Sequence, residues 1–404
     1  DMSQQIHNQQ SYNLLLESKP KILDLTNSSI RGFQKILFTD SIFNFFPVVD
    51  IFISDAEGVI PDVVNFIEGL DVSVEYGNKD NGYIGGNYFW SRNDFNDTMT
   101  ADNLSGSNGF LFGYHLIKYN QPKSRSWYDT ISNVVNDILV KDYNMSDPTK
   151  KFISSTTGAD YWYQVITKNS TWLQDLADAA FNIAYDKSPF YTFFNLQNEF
   201  YFMHLYDLFS QKPINSIPYK IEVVEDMMTN PYIIQQYDIQ YTGTFTNFKN
   251  YKVDSYYVDS DGTYKKTNHE LKNHVYKEQN SKLTIKKDFV NTNSIIFLGN
   301  YESLIDQYTY QAMINNKFRD SVLSYRMNIV IPFNPKAVSG KIIELKVNSA
   351  FESKKVCKEF SGKWLILKST HYDDKESLPY TQLLIAKSSV YVDSDHILYN
   401  EFLL

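Results

Sequence analysis

Cysteine is almost absent from this sequence. Of its 404 residues only Cys357 is a cysteine. A disulfide framework needs cysteine pairs, and a metal site made of cysteine alone needs several, so both are excluded. We interpret the lone thiol as incidental, in a protein made in a reducing cytoplasm.

Long apolar runs are also missing. No stretch of about 18 apolar residues occurs, so the sequence predicts no transmembrane helix and no membrane insertion. The opening residues, Asp-Met-Ser-Gln-Gln-Ile-His, lack a basic segment followed by an apolar one. We therefore expect no signal peptide.

Basic residues are outnumbered. The sequence has 38 Lys and Arg against 47 Asp and Glu, a net charge of −9. A protein that coats nucleic acid needs basic stripes to neutralise phosphates, so that class is excluded. A channel wall past which DNA slides is compatible with this charge, because a wall that repels phosphate does not hold DNA back.

Aromatic residues, in contrast, are abundant. They make up 16% of the sequence, with 31 Tyr and 28 Phe. This content is typical of large interfaces or of carbohydrate stacking, and a codon bias toward Tyr, Phe, Asn, Ile and Lys gives the same composition. With 43% hydrophobic and 21% charged residues, the protein is globular, and its length favours two or more domains.

The first part of the sequence predicts a β-barrel. After a polar arm at residues 1–20, short apolar or alternating runs separated by polar breaks indicate strands. A short helix at 59–68 interrupts them. The predicted strands cover residues 21–26, 33–39, 50–54, 71–76, 82–90 and 109–118, and residues 41–46 are either a strand or a helical turn.

The pattern changes at residue 122. Apolar residues recur three and four apart from Trp127 to Leu139, which predicts an amphipathic helix at 126–141, capped at Ser124 or Ser126. A second helix is predicted to start at Asn169. An aromatic hairpin, 191–196 and 200–205, follows it.

Residues 213–404 return to strands. Strands are predicted at 219–224, 233–241, 251–258, 324–331 and 341–347, with a tight turn at 261–262. The charged stretch 265–290 predicts an exposed loop, and Asn300 is predicted to cap a helix at 304–318. An antiparallel hairpin, 361–372 and 380–387, closes this part, and the tail from residue 390 is apolar enough to dock on a partner or on its own barrel.

This last region resembles the final strands of the tube-forming barrel of contractile-tail hub proteins, which include the central baseplate hub of T4-like phages and the related type VI secretion spike trunk. The block at 169–205 resembles the α/β insertion of the same family. The resemblance covers roughly residues 20–395 in element order. In the hairpin region it lies in Gly340, Lys341, Gly362, Lys363, Trp364, His371, Tyr380, Thr381, Leu383 and Ile385.

The resemblance implies an α+β, mainly β fold, with two similar tube-forming antiparallel β-barrel domains and two α/β insertions. It divides the sequence into the following parts: an N-terminal arm, 1–20; the first tube barrel, 21–121; an α/β insertion, 122–212; the first part of the second barrel, 213–260; a helical or loop excursion, 261–323; the last part of the second barrel, 324–396; and a C-terminal tail, 397–404.

The resemblance also implies a function. A homotrimer of such chains forms a ring that adapts a threefold spike to a sixfold tail tube and lines part of the DNA-delivery channel. Its partners are the central spike protein, which can carry a cell-wall hydrolase, a tail tube or tube-initiator protein, and other baseplate proteins. The implied location is the tail baseplate of a virion, assembled in the host cytoplasm. We expect lumen-facing side chains to be acidic or neutral on balance.

No motif in the sequence predicts catalysis, a cofactor site or a metal site. His269 and His274 are five residues apart, whereas a zinc-protease helix needs four, so we interpret them as part of a surface loop. The acidic run ending at Gly262 lacks the first ligand of a calcium loop. Residues 82–86 lack the Lys-Ser/Thr of a phosphate loop. His371 is expected to bond to backbone or to the acidic loop after it.

Two alternatives stay open. A carbohydrate-binding or carbohydrate-cleaving tail adhesin would use the aromatic residues, and a cleaving enzyme would need two carboxylates facing each other across a cleft. Paired carboxylates such as Asp373 and Asp374 are too common here to decide. The other alternative is a distal-tail or type VI spike-trunk component.

Overall fold

The structure is a computed structural model. It describes residues 13–18, 21–24, 33–55, 69, 71–96, 106–185, 188–221, 231–241, 251–258, 264–271, 291–296, 319, 323, 325–348, 360–374 and 378–387. The predicted helices at 59–68 and 304–318, the turn at 261–262 and the C-terminal tail lie outside these residues. Among the residues described, no helix is long and apolar enough to cross a membrane.

The fold is mainly β, as predicted. The strands are β1 Asn13–Ser18, β2 Lys21–Asp24, β3 Phe33–Ser41, β4 Val48–Asp55, β5 Asp71–Asn78, β6 Gly82–Asn96, β7 Gly106–Tyr114, β8 Pro122–Thr130, β9 Lys151–Ile153, β10 Ala159–Lys168, β11 Phe190–Phe194, β12 Phe200–His204, β13 Tyr219–Ile221, β14 Gln236–Tyr241, β15 Tyr251–Val258, β16 Tyr264–Leu271, β17 Asn291–Ile296, β18 Tyr325–Pro332, β19 Ile342–Val347, β20 Gly362–Asp373 and β21 Tyr380–Lys387. The helices are α1 Ile131–Tyr143, α2 Asn169–Ala179 and α3 Leu205–Ser210, and short 3-10 turns cover His115–Tyr119, Pro148–Lys150 and Ile183–Tyr185.

Thirteen strands form one sheet. Its order is β14-β18-β21-β20-β3-β4-β7-β6-β5-β1-β2, with β19 paired to β20 and β13 paired to β19. Strand β20 connects an early strand of the chain with a late one. Its first residues pair with β19, and residues 368–373 pair with residues 36–41 of β3. The sheet therefore contains strands from both predicted barrel regions.

Three smaller sheets accompany the main one. They are the two-stranded ribbon β8–β10, the three-stranded sheet β11-β12-β9, and the three-stranded sheet β16-β15-β17. The predicted aromatic hairpin is confirmed as β11 and β12, which pair from Phe190–His204 to Phe194–Phe200. All ten of its residues are buried.

The aromatic hairpin lies between two cores because its side chains alternate between its faces. Phe194 and Phe202 belong to a core that also contains α1, α2 and strands β3–β7. Phe193 and Tyr201 belong to a second core with residues of β19, β20 and α3. A third core, which includes Trp364, lies among the C-terminal strands.

The predicted helix at 126–141 begins five residues late. Residues 122–130 form strand β8 instead, and the helix starts at Ile131 with the Thr130 side chain accepting a hydrogen bond from the Asn133 N–H. The prediction was wrong because β8 pairs with β10, more than thirty residues away. The spacing of apolar residues along this segment does not depend on that pairing, and Trp127 fitted the apolar stripe of a helix by chance.

The predicted loop at 265–290 is also partly wrong. Residues 264–271 form β16, antiparallel to β15, with His269 opposite Val253. The high charge of this stretch suggested a loop, but backbone groups make the pairing in a sheet, so charged residues do not prevent it. His274 lies outside the described residues.

Candidate functional site

A buried polar cluster lies where β3, near the start of the chain, pairs with β20, near its end. Pairing of β3 with β20 places Asp40 opposite Ser369. Asp40, Ser369, His371 and Thr381 are each at most 1% exposed. We call these four side chains the polar junction.

Asp40 is held by three donors from three different segments. Its Oδ1 accepts hydrogen bonds from the Ser369 hydroxyl at 2.7 Å and from the Ser339 N–H at 3.0 Å. Its Oδ2 accepts one from the Leu196 N–H at 2.9 Å. Leu196 lies in the turn of the aromatic hairpin. The Asp40 carboxyl group therefore links β3 to the hairpin turn and to the loop before β19.

Burial controls the acidity of Asp40. Removal from water disfavours the charged form and raises the pKa of this carboxyl from 3.8 to about 6, although its three hydrogen-bond donors oppose the shift. Accepting three hydrogen bonds nevertheless favours the ionised form of the Asp40 carboxyl group. Asp40 is thus a buried acid that titrates close to neutral pH.

His371 completes the polar junction on β20. Its Nδ1 lies 3.0 Å from the Thr381 hydroxyl and its Nε2 lies 3.4 Å from the Ser369 hydroxyl. Burial lowers the pKa of His371 to about 3, against a hydrogen bond with the Ala337 backbone, so the ring is neutral at physiological pH. The expected backbone bond is therefore present. Its other described hydrogen-bond partners are side chains of β20 and β21.

The residues Ser369, His371 and Asp40 are those of a hydrolase triad, but their order is wrong for catalysis. In a triad the histidine lies between the serine and the acid. Here Ser369 lies between Asp40 and His371, and the far ring nitrogen of His371 faces Thr381. Because Ser369 is fully buried, a substrate cannot reach its hydroxyl, and the geometry supports a structural role.

An ion pair lies on the other side of the hairpin turn. The Lys341 Nζ is 2.8 Å from Glu199 Oε2. The same carboxylate accepts hydrogen bonds from Asn195 at 2.9 Å and Tyr201 at 3.1 Å. Burial, followed by the adjacent Glu199 charge, raises the pKa of Tyr201, which keeps its hydroxyl a donor. This pair fastens the loop before β19 to the aromatic hairpin.

Gly340 shows why that loop needs glycine. Its φ of +82° is in the left-handed region, and a Cβ there would come within 2.6 Å of the Phe193 ring. The Gly340 N–H donates to the Ile366 carbonyl at 2.9 Å, and its own carbonyl accepts from Gln211 at 2.8 Å. The loop backbone is therefore pressed against the hairpin.

The other residues of the predicted hairpin motif lie on β20 and β21. Gly362 has a φ of +100°, which agrees with the predicted irregular entry into the strand. Trp364 is fully buried, donates its indole N–H to the Phe360 carbonyl at 3.0 Å and lies 5.1 Å from the Lys387 Nζ. Leu383 and Ile385 are buried, Lys363 is exposed, and Tyr380 packs on Tyr372 with 4.9 Å between ring centres.

Of the residues considered as metal or phosphate ligands, the structure describes His269 and residues 82–86, whereas His274 and Gly262 lie outside the described residues. Within the described part of the chain, no group of three His, Cys, Asp or Glu is placed to hold a metal ion. Residues 82–86 lie inside strand β6. Asp373 is buried and accepts a hydrogen bond from the Tyr76 hydroxyl of β5.

Sequence reasoning singled out His371 and Thr381 but missed Asp40 and Ser369. A signal for Asp40 was available. Ile36, Phe38 and Asp40 alternate along β3 and all face the core, so Asp40 is an acid in register with apolar residues. Such a residue must be paired when buried. Its partner on β20, however, depends on pairing across more than 300 residues.

Comparisons with known proteins show where this fold occurs. No family model matches the sequence, and no curated protein matches it. Two solved structures have a similar fold along almost the whole chain. A tail protein from Neisseria meningitidis MC58 gives a TM-score of 0.55 at 9% identity, covering 97% of this chain and 99% of that one.

The second is the 43 kDa tail protein of prophage MuSo2 from Shewanella oneidensis, with a TM-score of 0.54 at 10% identity. It covers 93% of this chain and 98% of that one. A weaker likeness, with a TM-score of 0.46 at 8% identity, is to a type VI secretion system component of E. coli. The chain thus shares its fold, over at least 93% of its length, with two tail proteins, one of them from a prophage.

Proposed function

We propose that this protein is a structural hub of a phage tail baseplate, in which three copies form a ring that joins a threefold spike to a sixfold tail tube. The observation that carries the proposal is the likeness to two tail proteins, one of them from a prophage, which covers at least 93% of this chain. The motif of the C-terminal hairpin and the order of elements along the chain add support, because both resemble those of hub proteins.

The arrangement of strands supports the proposal. In a ring of three copies, two barrel domains per chain give six similar wall segments, which is the number a sixfold tube needs. Strand β20 pairs with strands from both parts of the chain, and the polar junction lies at that contact. A hub that bears load through its wall benefits from such a joint, because separating the two parts would break buried hydrogen bonds and expose the apolar side chains around them.

The proposed role includes no reaction. The serine, histidine and acid of the polar junction are buried and in the wrong order for a triad, so their role is to stabilise the fold. The implied partners are the central spike protein, with or without a cell-wall hydrolase, the tail tube or tube-initiator protein, and other baseplate proteins. DNA passes along the lumen without sequence-specific binding.

Molecular mass in solution tests the proposal. Light scattering of the purified full chain should give three times 47.1 kDa, about 141 kDa, and negative-stain images should show rings. Antibodies against the chain should label tail particles at the end away from the head. A chain that stays monomeric at all concentrations, and labelling elsewhere on the tail, would contradict a hub.

A second candidate function is a carbohydrate-binding or carbohydrate-cleaving tail adhesin. Exposed tyrosines on the ribbon β8–β10 favour it, namely Tyr128, Tyr161 and Tyr163. Retention of a monomeric protein on polysaccharide would support the adhesin. A distal-tail or type VI spike-trunk component is the alternative within the same machinery, and the position of antibody label distinguishes these from the hub.

A further inference from the structure

Most charged residues of the ribbon β8–β10 lie on its inner face; the exception is Lys168, the last residue of β10, which is exposed. The inner face, toward the helices, carries Lys123, Arg125, Asp129 and Asp160, all only partly exposed. The exposed side chains from residue 124 to 128 and from 161 to 165, stretches that the structure describes in full, are all uncharged: Ser124, Ser126, Tyr128, Tyr161, Tyr163 and Val165. We call these six side chains the outer ribbon face.

The inner face is fixed by a polar network. Arg125 and Lys123 of β8 both form ion pairs with Asp142 near the end of α1, whose side chain is only 5% exposed. Burial opposes the ionisation of Asp142, but hydrogen bonds from Arg125 and Lys123 outweigh it and lower its pKa. Asn169, at the start of α2, donates to Asp142 at 2.8 Å and accepts from Arg125 at 2.9 Å.

This network makes the ribbon rigid. A two-stranded sheet alone is marginally stable in water, whereas this one is anchored to both helices, and Gln164 of β10 adds a hydrogen bond to Asn169 at 3.1 Å. The outer ribbon face is therefore held in one shape before any partner binds. Such pre-organisation lowers the entropy lost on binding.

The bulge near the end of β10 shows a second sign of function. Ile166 has a φ of +46°, which is rare for a β-branched residue, and it is 78% exposed. Its N–H donates to the Ser124 hydroxyl at 3.1 Å, which holds the bulge where the pairing of β8 and β10 shifts. Backbone strain that presents an apolar side chain to water is typical of a binding site.

The composition of the outer ribbon face favours a protein partner over a sugar. Tyr128 and Tyr161 are paired across the strands, with 4.6 Å between ring centres, and Tyr163 follows Tyr161 at 6.4 Å. Tyrosine and serine provide rigid contact area and hydroxyl hydrogen bonds, and charged residues are depleted in the cores of protein interfaces. A sugar site would place carboxylates or amides beside the aromatic rings, and the outer ribbon face has none.

The net charge of the chain indicates which protein binds to the outer ribbon face. The chain has a net charge of −9, so two copies repel each other on average at long range. An uncharged face is where identical acidic chains can lose water without burying like charges. We propose that the outer ribbon face is a contact surface between copies of this chain. This inference deepens, and rests on, the proposed homotrimeric hub.

The test introduces charge at Tyr163, which is 59% exposed. Tyr163→Lys and Tyr163→Glu should each raise the dissociation constant of the oligomer by about 30-fold or more in sedimentation, as loss of an aromatic interface anchor does. Both signs should weaken assembly because the penalty is the burial of a charge. Tyr163→Phe should change the constant by less than about threefold.

Tyr83→Lys is the matched control. Tyr83 is an exposed tyrosine (42%) on β6 of the main sheet, and the same added charge there should leave the oligomer intact. A photo-crosslinking amino acid at position 163 should give covalent multimers of the full chain, and one at position 83 should not. This measurement holds even if a charged variant fails to fold.

The outcomes separate the two proposals. A wild-type trimer that survives both charges at Tyr163, with no crosslink from that position, overturns the contact surface and leaves the hub standing. A wild-type chain that stays monomeric at every concentration overturns both. A monomer that binds neutral polysaccharide, and loses that binding in Tyr161→Ser, assigns the outer ribbon face to sugar instead.

Discussion

The Ser369 hydroxyl donates a 2.7 Å hydrogen bond to Asp40 although 329 residues separate them in the sequence. Both are buried, and the contact closes the sheet between an early strand and one near the end of the chain. The hydrogen bond thus reports directly on whether the two parts of the chain are joined.

Ser369→Ala should destabilise the protein by about 1–3 kcal/mol, because it removes one of three donors to a buried acceptor. Urea unfolding followed by tryptophan fluorescence measures this. Ser216→Ala, at an exposed serine in the loop before β13, is the control and should change the free energy of unfolding by less than about 0.5 kcal/mol. Equal effects of the two variants would contradict the structural role of the polar junction.

Asp40 should make stability depend on pH. Its pKa is higher in the folded state, about 6, than its ordinary 3.8, so the folded state binds the proton more tightly. The contribution of this group is fully present below pH 4 and is lost as pH rises toward 6. A shift of about two units corresponds to about 3 kcal/mol.

Asp40→Asn tests that pH dependence. The variant cannot titrate, so the difference in unfolding free energy between wild type and variant should decrease from pH 4 to pH 7. Its absolute stability also drops, because an amide NH₂ would face the Leu196 or Ser339 N–H. A difference that is constant over this range would show that Asp40 has the same pKa in both states.

Gly340→Ala should destabilise the fold by about 2–4 kcal/mol. The added methyl group would come within 2.6 Å of the Phe193 ring in a left-handed backbone conformation. Thermal unfolding measures the effect, and Gly69→Ala is the matched control. Gly69 also has a positive φ, +84°, but nothing lies within 4 Å of its missing Cβ. Similar losses at both positions would assign the cost to backbone strain alone.

Trp364→Asp should prevent folding, because it buries an unpaired charge and leaves a large cavity in the core. The expected result is insoluble protein, or a loss of the folded circular dichroism signal. Lys363→Asp, at the exposed neighbouring position on β20, should fold and cost no more than about 1 kcal/mol. Soluble, assembled Trp364→Asp protein would show that this core tolerates disruption.

Local patterns predicted most of the elements, and the errors have a common cause. The strands around Val72 and Val74 and the hairpin around Trp364 follow from strict alternation or dense apolar runs, and both are confirmed. Trp127 was assigned to a helix because its spacing to Ile131 fits both structures. The choice is made by β10, a distant partner strand.

The polar junction and the outer ribbon face could not be predicted for the same reason. Each exists only after distant strands have paired, since Asp40 needs β20 and the alignment of Tyr128 with Tyr161 needs β10 opposite β8. A single sequence can flag an acid on an apolar strand face. The sequence does not show which of several strands will lie beside that acid.

The pairing of β3 with β20 also has a consequence during synthesis. One edge of β3 stays without its final partner until about 330 further residues have been translated, on the order of tens of seconds at cellular rates. Over that interval the nascent chain carries an unsatisfied β edge that can join another nascent chain on the same message. Slow ribosomes should therefore lower the yield of this protein, and a chaperone that shields strand edges should restore it.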